Sequence, residues 1–66
     1  MPAPVTIAQE RAILAAFEAK RETDVEIAAR LSLSKSAISK RRGWGIASLA
    51  ARIRHREEYN APSQSR

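Results

Sequence analysis

Four cationic side chains and three serines fall within nine consecutive residues, Ser34 to Arg42, and this segment contains no acidic residue. Lysine and arginine donate charge-assisted hydrogen bonds to anionic oxygens, and a serine hydroxyl can donate or accept. These residue types suit the binding of an anionic partner. Catalysis is not expected, because the sequence offers no paired carboxylates, no glycine-rich phosphate loop and no nucleophile next to a base. We therefore expect a binding protein rather than an enzyme.

Acidic and basic residues are distributed unevenly along the chain, whose net charge is +5. Residues 1–29 contain three basic and five acidic residues, whereas residues 30–66 contain nine basic and two acidic residues. The two halves therefore carry net charges of −2 and +7. This asymmetry favours a polyanion as the partner of the second half, with nucleic acid first and an acidic membrane surface second. On charge alone, a basic surface that merely keeps the protein soluble is the alternative.

Composition excludes several kinds of site. The 66 residues include no cysteine, which excludes disulfides, iron–sulfur clusters and zinc–cysteine sites. The single histidine, His55, has no ligands at metal-binding spacing, so we expect no metal, no cofactor and no small-molecule ligand. No run approaches the roughly 18 apolar residues of a membrane span, and no signal peptide opens the chain. We expect a single cytoplasmic domain at a prokaryotic nucleoid, without a membrane partner.

Hydrogen-bonding residues mark where the helices begin. Thr6 and Gln9 have the capping-box spacing, in which each side chain bonds the backbone N–H of the other residue, and Thr23 and Glu26 repeat it. Ser34 can cap a third helix through its hydroxyl. No run of alternating β-branched residues predicts a strand. The predicted helices cover residues 7–21, 24–31, 35–42 and 46–59.

The predicted fold is all-α, a compact bundle of about four helices. Gly43-Trp44-Gly45 is expected to end the third helix and turn the chain into the fourth. We expect a flexible arm at residues 1–5, a domain at residues 6–59 and a disordered tail at residues 60–66.

Apolar residues recur at helical spacing and predict one modest core. The expected core residues are Ile7, Ile13, Leu14, Phe17, Ile27, Ala28, Leu31, Leu33, Ile38, Trp44, Leu49 and Ile53. A core of this size is marginal, so we expect a homodimer to add stability. The apolar stripe of the fourth helix supplies a candidate dimer interface at Ile46, Leu49 and Ile53. Glu10 falls inside the stripe of the first helix, and only its favourable place near the helix start accounts for it.

Residues 23–42 have the length pattern of a helix-turn-helix, with two turns of helix, a three-residue turn and two further turns. On the second of these helices, Lys35, Ser36, Ser39 and Lys40 fall within about 140° of the helical wheel. This outward face carries no acid and no large apolar side chain. A helix that enters a groove lined with phosphates requires such a face.

Residues 34–40, Ser-Lys-Ser-Ala-Ile-Ser-Lys, resemble the recognition helix of the lambda-repressor-like superfamily, particularly phage Cro, CI-type and CII-type regulators. Residues 26–31, Glu-Ile-Ala-Ala-Arg-Leu, are similar to the helix that precedes it in that superfamily. The resemblance covers about residues 23–53. It implies a helix-turn-helix that reads double-stranded DNA as a homodimer, on a palindromic operator with half-sites about 34 Å apart.

The resemblance also implies a role for each residue of the motif. Side chains expected to face base edges are Lys35, Ser36, Ala37, Ser39 and Lys40. Residues expected to contact phosphate are Thr23, Ser34, Arg41 and Arg42. Lysine suits the guanine edge, and the N–H groups at a helix start suit phosphate oxygens.

Two residues depart from the family pattern. Ser32 stands where the turn usually has glycine, at a position that often needs positive φ and then costs another residue roughly 1 kcal/mol. Arg41 stands where an apolar or aromatic residue is usual. Its aliphatic stem could lie along the helix seam while Trp44 supplies the apolar bulk.

The leading hypothesis is a sequence-specific DNA-binding transcriptional regulator, a small repressor of the phage or plasmid type. One alternative is a non-specific nucleic-acid binder. A second is an antitoxin-like or inhibitor module that presents residues 46–59 to a protein partner, which requires an exposed apolar stripe on that helix. A membrane-surface role for the basic fourth helix is a further alternative.

Overall fold

The computed structural model of the protein describes residues 4–60, and within that range it contains four α-helices and no strand. The all-α prediction is therefore confirmed. The ends of the predicted arm and tail, residues 1–3 and 61–66, lie outside the described residues. The helices are α1, Ile7–Ala19; α2, Asp24–Leu31; α3, Lys35–Trp44; and α4, Ile46–Asn60.

The predicted helix starts are all present. The hydroxyl of Thr6 accepts from the N–H of Gln9 at 3.0 Å, and the hydroxyl of Thr23 accepts from the N–H of Glu26 at 3.2 Å. Each capping box is closed by the return bond from the N-cap N–H to the Gln or Glu side chain. At α3 the hydroxyl of Ser34 accepts from the N–H of Ala37 at 3.1 Å. Local hydrogen bonds thus fix where these three helices begin.

Two helix ends differ from the prediction. The first helix ends at Ala19 rather than Arg21, because Lys20 adopts the left-handed conformation with φ 57° and ψ 37°. The third helix continues through Gly43 to Trp44 instead of ending at Arg42. Its termination is set by Gly45, whose φ of 89° is open to glycine at little cost. The fourth helix begins at the next residue.

The core is built from one stripe of each helix. Its buried residues are Ile13, Ala16, Phe17, Ile27, Ala28, Ile38, Leu49 and Ile53. Ala16 is the one member of this group that the apolar spacing did not predict. The other predicted core residues, Ile7, Leu14, Leu31, Leu33 and Trp44, are half-buried and pack around it.

The candidate dimer interface on α4 is a wrong prediction for two of its three residues. Leu49 is 0% exposed and Ile53 is 5% exposed, because both face the core of their own chain. Of the stripe, Ile46 alone retains an exposed large apolar side chain, at 39%. A single partly exposed isoleucine at the start of α4 does not make the apolar surface that a dimer seam of this kind needs.

The helices pack as two connected pairs. In the first pair α1 lies against α4, and in the second α2 lies against α3, while α3 also contacts α4. The side-chain amide of Gln9 donates to the carbonyl of Leu31 at 3.3 Å and so joins the start of α1 to the end of α2. Val5 belongs to the predicted arm, yet it packs against the core, and its carbonyl accepts from Arg56 at 2.9 Å.

No helix in the described part of the chain combines the length and the apolar character that crossing a bilayer requires.

Candidate nucleic-acid interface

The outward side of α3 carries four exposed polar residues, Lys35, Ser36, Ser39 and Lys40, which we call the α3 outer face. On the opposite side of the helix, Ile38 is 0% exposed and anchors α3 to the core. Ala37 lies between the two sides and is half-buried. The structure therefore brings the predicted base-contacting residues to one surface of one helix.

A tight turn between α2 and α3 sets the angle between the two helices. Ser32 adopts φ 59° and ψ 41°, the left-handed conformation predicted for this position. Its N–H reaches the carbonyl of Ala29 at 3.3 Å, and the N–H of Leu33 reaches the carbonyl of Ala28 at 2.9 Å. These bonds satisfy the last carbonyls of α2. A non-glycine residue in this conformation costs about 1 kcal/mol.

The starts of α2 and α3 differ in charge. The first turn of α2 contains Asp24 and Glu26, and the N–H and hydroxyl of Thr23 are both engaged in its capping box. Thr23 is exposed, and its predicted phosphate contact stays a prediction; the two carboxylates next to it make the start of α2 less favourable for an anion than the start of α3. The first turn of α3, capped by Ser34, contains no acidic residue.

Asp24 bridges α2 to the edge of the α3 outer face. Its carboxylate accepts from Nε of Arg42 at 2.7 Å and from the hydroxyl of Ser39 at 3.1 Å. The hydrogen bond from Arg42 lowers the pKa of Asp24, and the bond from Ser39 and the positive charge of Lys35 act in the same direction. Ser39 thus lies at the flank of the face with its hydroxyl donated to another helix.

Arg42 contacts a core residue at the same flank. Its guanidinium carbon is 4.3 Å from the ring centroid of Phe17, which is buried. Its side chain remains 49% exposed. Arg42 can therefore present N–H groups to a partner while its position is fixed by an acid and an aromatic ring.

A buried carboxylate on the inner side of α3 joins α1, α3 and α4. Glu10 of α1 is 3% exposed, and its Oε2 accepts from Nε and Nη2 of Arg41 at 3.2 and 3.0 Å. Its Oε1 accepts from Nη1 of Arg56 on α4 at 2.9 Å. A buried acid requires such partners, because an unpaired charge in the interior is expensive. We call these three residues the Glu10 triad.

The predicted phosphate contact of Arg41 is corrected by this geometry. Its guanidinium is turned inward, where Nη1 also donates to the carbonyl of Ala37 at 2.9 Å, and the side chain is only 11% exposed. Arg41 positions α3 rather than facing outward. The position of Glu10 inside the apolar stripe of α1 is the sequence signal of this buried ion pair, although it does not identify the partners.

The ring of Trp44, at the end of α3, lies close to three cationic side chains. Its ring lies 3.9 Å from the guanidinium carbon of Arg52 on α4, 5.3 Å from that of Arg41 and 5.8 Å from Nζ of Lys40. The ring is half-buried. The sequence assigned Trp44 to the core and left the arginine face of the fourth helix, Arg52 included, as either a phosphate-contacting flank or a solubilising surface. It did not connect Arg52 with Trp44, since a contact between two helices has no fixed spacing along the chain.

About half of the described lysines and arginines form ion pairs with carboxylates, and the others do not. Carboxylates within residues 4–60 pair with Arg11, Arg30, Arg41, Arg42 and Arg56. Within the same range, the cations with no carboxylate within 4.0 Å are Lys20, Arg21, Lys35, Lys40, Arg52 and Arg54. The uncompensated positive charge of α3 therefore lies on its outer face, and Trp44 connects this charge to Arg52.

An open groove of about 670 Å³ runs beside α3. It is bordered by the start of α1, the α2–α3 turn and the first turns of α3, including Gln9, Ser34, Ser36 and Lys40. The described residues include no cluster of three or more potential metal ligands. The arrangement can thus bind an extended anion through lysines, hydroxyls and the acid-free start of a helix.

No protein-family model, no curated protein and no solved structure matches the chain in comparisons with known proteins. The function of the protein must therefore be inferred from its own residues and their geometry.

Proposed function

We propose that the protein is a sequence-specific regulator that binds double-stranded DNA and acts as a repressor. In this proposal α2, the turn at residues 32–34 and α3 act as a helix-turn-helix, with α3 in the major groove. A protein bound at a promoter in this way represses by occupying the site.

The observation that carries the proposal is the two-sided character of α3. Its inner side is fixed by Ile38 and by the Glu10 triad. Its outer face presents Lys35 and Lys40, which have no carboxylate within 4.0 Å among residues 4–60, together with the exposed hydroxyl of Ser36. An α-helix fits the major groove of B-DNA, and lysine there can donate to guanine O6 and N7. A helix held rigidly on one side loses little conformational entropy when its other side binds.

The roles within the proposed interface follow from position. Lys35, Ser36 and Lys40 face base edges, and the methyl group of Ala37 can contact a thymine methyl. The start of α3 at Ser34 and the exposed guanidinium of Arg42 contact phosphates on either side of the groove.

Specific binding requires more base pairs than one α3 can read, so the proposal includes two copies on a palindromic site. Their contact surface does not use Leu49 and Ile53, which are buried in each chain. The same burial removes the exposed apolar stripe that the interaction-module alternative required.

Selection of bound duplexes from a random DNA pool tests the proposal. We expect a consensus of two inverted half-sites whose centres lie about 34 Å apart, bound with roughly nanomolar affinity that falls steeply as salt is raised. Enrichment of no consensus, with equal retention of RNA and random duplex, would instead identify a non-specific binder.

A pair of variants locates the base contacts. Lys35→Ala should relax the preference at one base pair of the selected site, which corresponds to about 1–3 kcal/mol of discrimination. Arg54→Ala is the matched control, because it also removes one exposed helical cation but lies on α4. Equal losses for Lys35→Ala on the selected site and on random duplex would contradict a base-reading role.

A further inference from the structure

We propose that Arg52, held on the ring of Trp44, is a second binding site for DNA backbone phosphate, on α4 and outside the helix-turn-helix. The inference rests on the proposed function, since it extends the α3 outer face onto a neighbouring helix. It assigns Trp44 as the positioning residue for Arg52.

The geometry places the two groups in direct contact. The guanidinium carbon of Arg52 lies 3.9 Å from the centroid of the Trp44 ring, the shortest cation–ring distance in the described residues. The ring is half-buried against the core, so it is a fixed platform, whereas Arg52 itself is exposed. Gly45 joins the two helices with no further linker, and the contact between Trp44 and Arg52 spans this junction.

Charge distinguishes Arg52 from the other arginine on this ring. Arg41 also contacts Trp44, but its guanidinium is bonded to the buried carboxylate of Glu10. Arg52 has no carboxylate within 4.0 Å among residues 4–60. Lys40 is likewise without such a partner, and it belongs to the α3 outer face. The Trp44 ring therefore joins two unpaired cations on two different helices.

Contact with an aromatic ring orients a guanidinium group for hydrogen bonding to phosphate. An arginine that lies face-on against an indole uses its flat surface in the cation–π contact and keeps its N–H edge directed outward. That edge makes the paired hydrogen bonds that phosphate oxygens accept. Because the stacked side chain has fewer rotamers to lose, binding costs it less entropy than it costs a free arginine.

The kind of anion is inferred from the position of Arg52 next to the α3 outer face. A ligand in contact with both the α3 outer face and Arg52 must be extended and carry charge at regular intervals, as a DNA strand does. A phosphate at Arg52 carries no sequence information, so its contribution should be the same for every duplex.

The single tryptophan of the chain makes this site directly observable. Fluorescence titration of the folded protein with the selected duplex, at several salt concentrations, reports both affinity and the surroundings of Trp44. Relative to wild type, Arg52→Gln should bind roughly tenfold more weakly, reduce the slope of log K against log salt by about one, and show a smaller change in emission on binding.

Arg54→Gln is the matched control. It removes one exposed arginine from the same helix, two residues away, with no aromatic contact among the described residues. We expect its affinity, salt slope and emission change to equal those of wild type. Random duplex should show the same loss for Arg52→Gln as the selected duplex does.

The positioning role of Trp44 has its own readout. Trp44→Leu, followed by fluorescence anisotropy of labelled duplex, should weaken binding about as much as Arg52→Gln, and combining the two changes should add little further loss. Helical circular dichroism shows that each variant is folded. Additive losses in the double variant would overturn the positioning role.

The remaining outcomes separate the two proposals. If wild type binds duplex and Arg52→Gln equals wild type, or if Arg52→Gln and Arg54→Gln lose affinity equally, the Arg52 site is wrong and the proposed function stands. If wild type binds no duplex, both proposals are wrong.

Discussion

The two sides of α3 use the same kind of residue for opposite purposes. Lys40 and Arg41 are neighbours in the chain, yet Lys40 is exposed without an acidic partner, while the side chain of Arg41 is 11% exposed and bonded to a buried carboxylate. The positive charge on the inner side thus stabilises the fold by pairing with a buried carboxylate. The charge of the outer face stays exposed, which shows that a basic run in sequence is not by itself an exposed cationic surface.

The comparison extends to the charge asymmetry between the two halves of the chain. Acids of the first half, Glu10 and Asp24, pair with cations of the second half that face inward or lie at the flank. Among residues 4–60, the cations with no carboxylate within 4.0 Å lie on the α3 outer face, on α4 and at the end of α1; they are Lys35, Lys40, Arg52, Arg54, Lys20 and Arg21. Ion pairing therefore removes the inward-facing cation Arg41 from the exposed charge of α3 and leaves the two lysines of its outer face.

Among the variants that test the difference between the two sides of α3, we expect Arg41→Ala to change stability the most. This change leaves Glu10, which is 3% exposed, with Arg56 as its remaining partner, and it removes the bond to the carbonyl of Ala37. Breaking a buried ion pair from one side is strongly destabilising, so we expect the free energy of unfolding to fall by about 2–3 kcal/mol. Urea denaturation followed by circular dichroism measures it.

Lys40→Ala is the matched variant for this experiment. It removes the adjacent cation from the outer side of the same helix, and we expect its free energy of unfolding to change by less than about 0.5 kcal/mol. Equal effects of the two variants on stability would remove the distinction between the two sides of α3.

Local rules explain which parts of this arrangement were predictable from sequence. Capping boxes at Thr6 and Thr23 and the helical stripes depend on residues within four positions of one another, where spacing determines geometry. The left-handed turn at Ser32 was expected from the resemblance to a family that usually has glycine there. Each of these predictions is confirmed.

The Glu10 triad was not predictable by the same rules. Glu10 is separated by 31 residues from Arg41 and by 46 from Arg56, so their contact depends on how three helices pack. The candidate interface at Leu49 and Ile53 failed for a related reason, since an apolar stripe does not reveal whether it faces the same chain or another. The end of α3 was missed because Gly43, although unfavourable in a helix interior, continues the helix, and the glycine with positive φ that follows the helix is Gly45 instead.

An intermediate loss of stability is expected when Asp24, which accepts hydrogen bonds from Arg42 and Ser39 at the boundary between the two sides, is replaced. The bond from Arg42 lowers the pKa of Asp24 in the folded protein. Stability from this contact is therefore present above the ordinary carboxyl pKa of about 3.9 and is lost as pH falls through the lowered value. We expect Asp24→Asn to cost about 1 kcal/mol near neutral pH and to lose less stability than wild type on acidification.

Urea unfolding of both proteins between pH 7 and pH 2 measures this difference. Glu22 titrates in the same acidic range, because the hydrogen bond from Arg30 lowers its pKa too, so the variant keeps part of the acid sensitivity. Parallel stability profiles for the two proteins would show that Asp24 does not hold the flank of α3.

The smallest expected effect comes from the turn that orients both sides together. Ser32→Gly relieves the cost of φ 59° and should raise the free energy of unfolding by about 0.5–1 kcal/mol, or Tm by a few degrees. Lys20→Gly, at φ 57° after α1, is the control for the same relief far from α3. If the outer face binds as a rigid surface, Ser32→Gly changes Tm and leaves duplex affinity as it was. A gain in stability accompanied by a loss of affinity would instead mean that the serine restrains the angle of α3, so that the strained turn, and not only the Glu10 triad, prepares the helix for its partner.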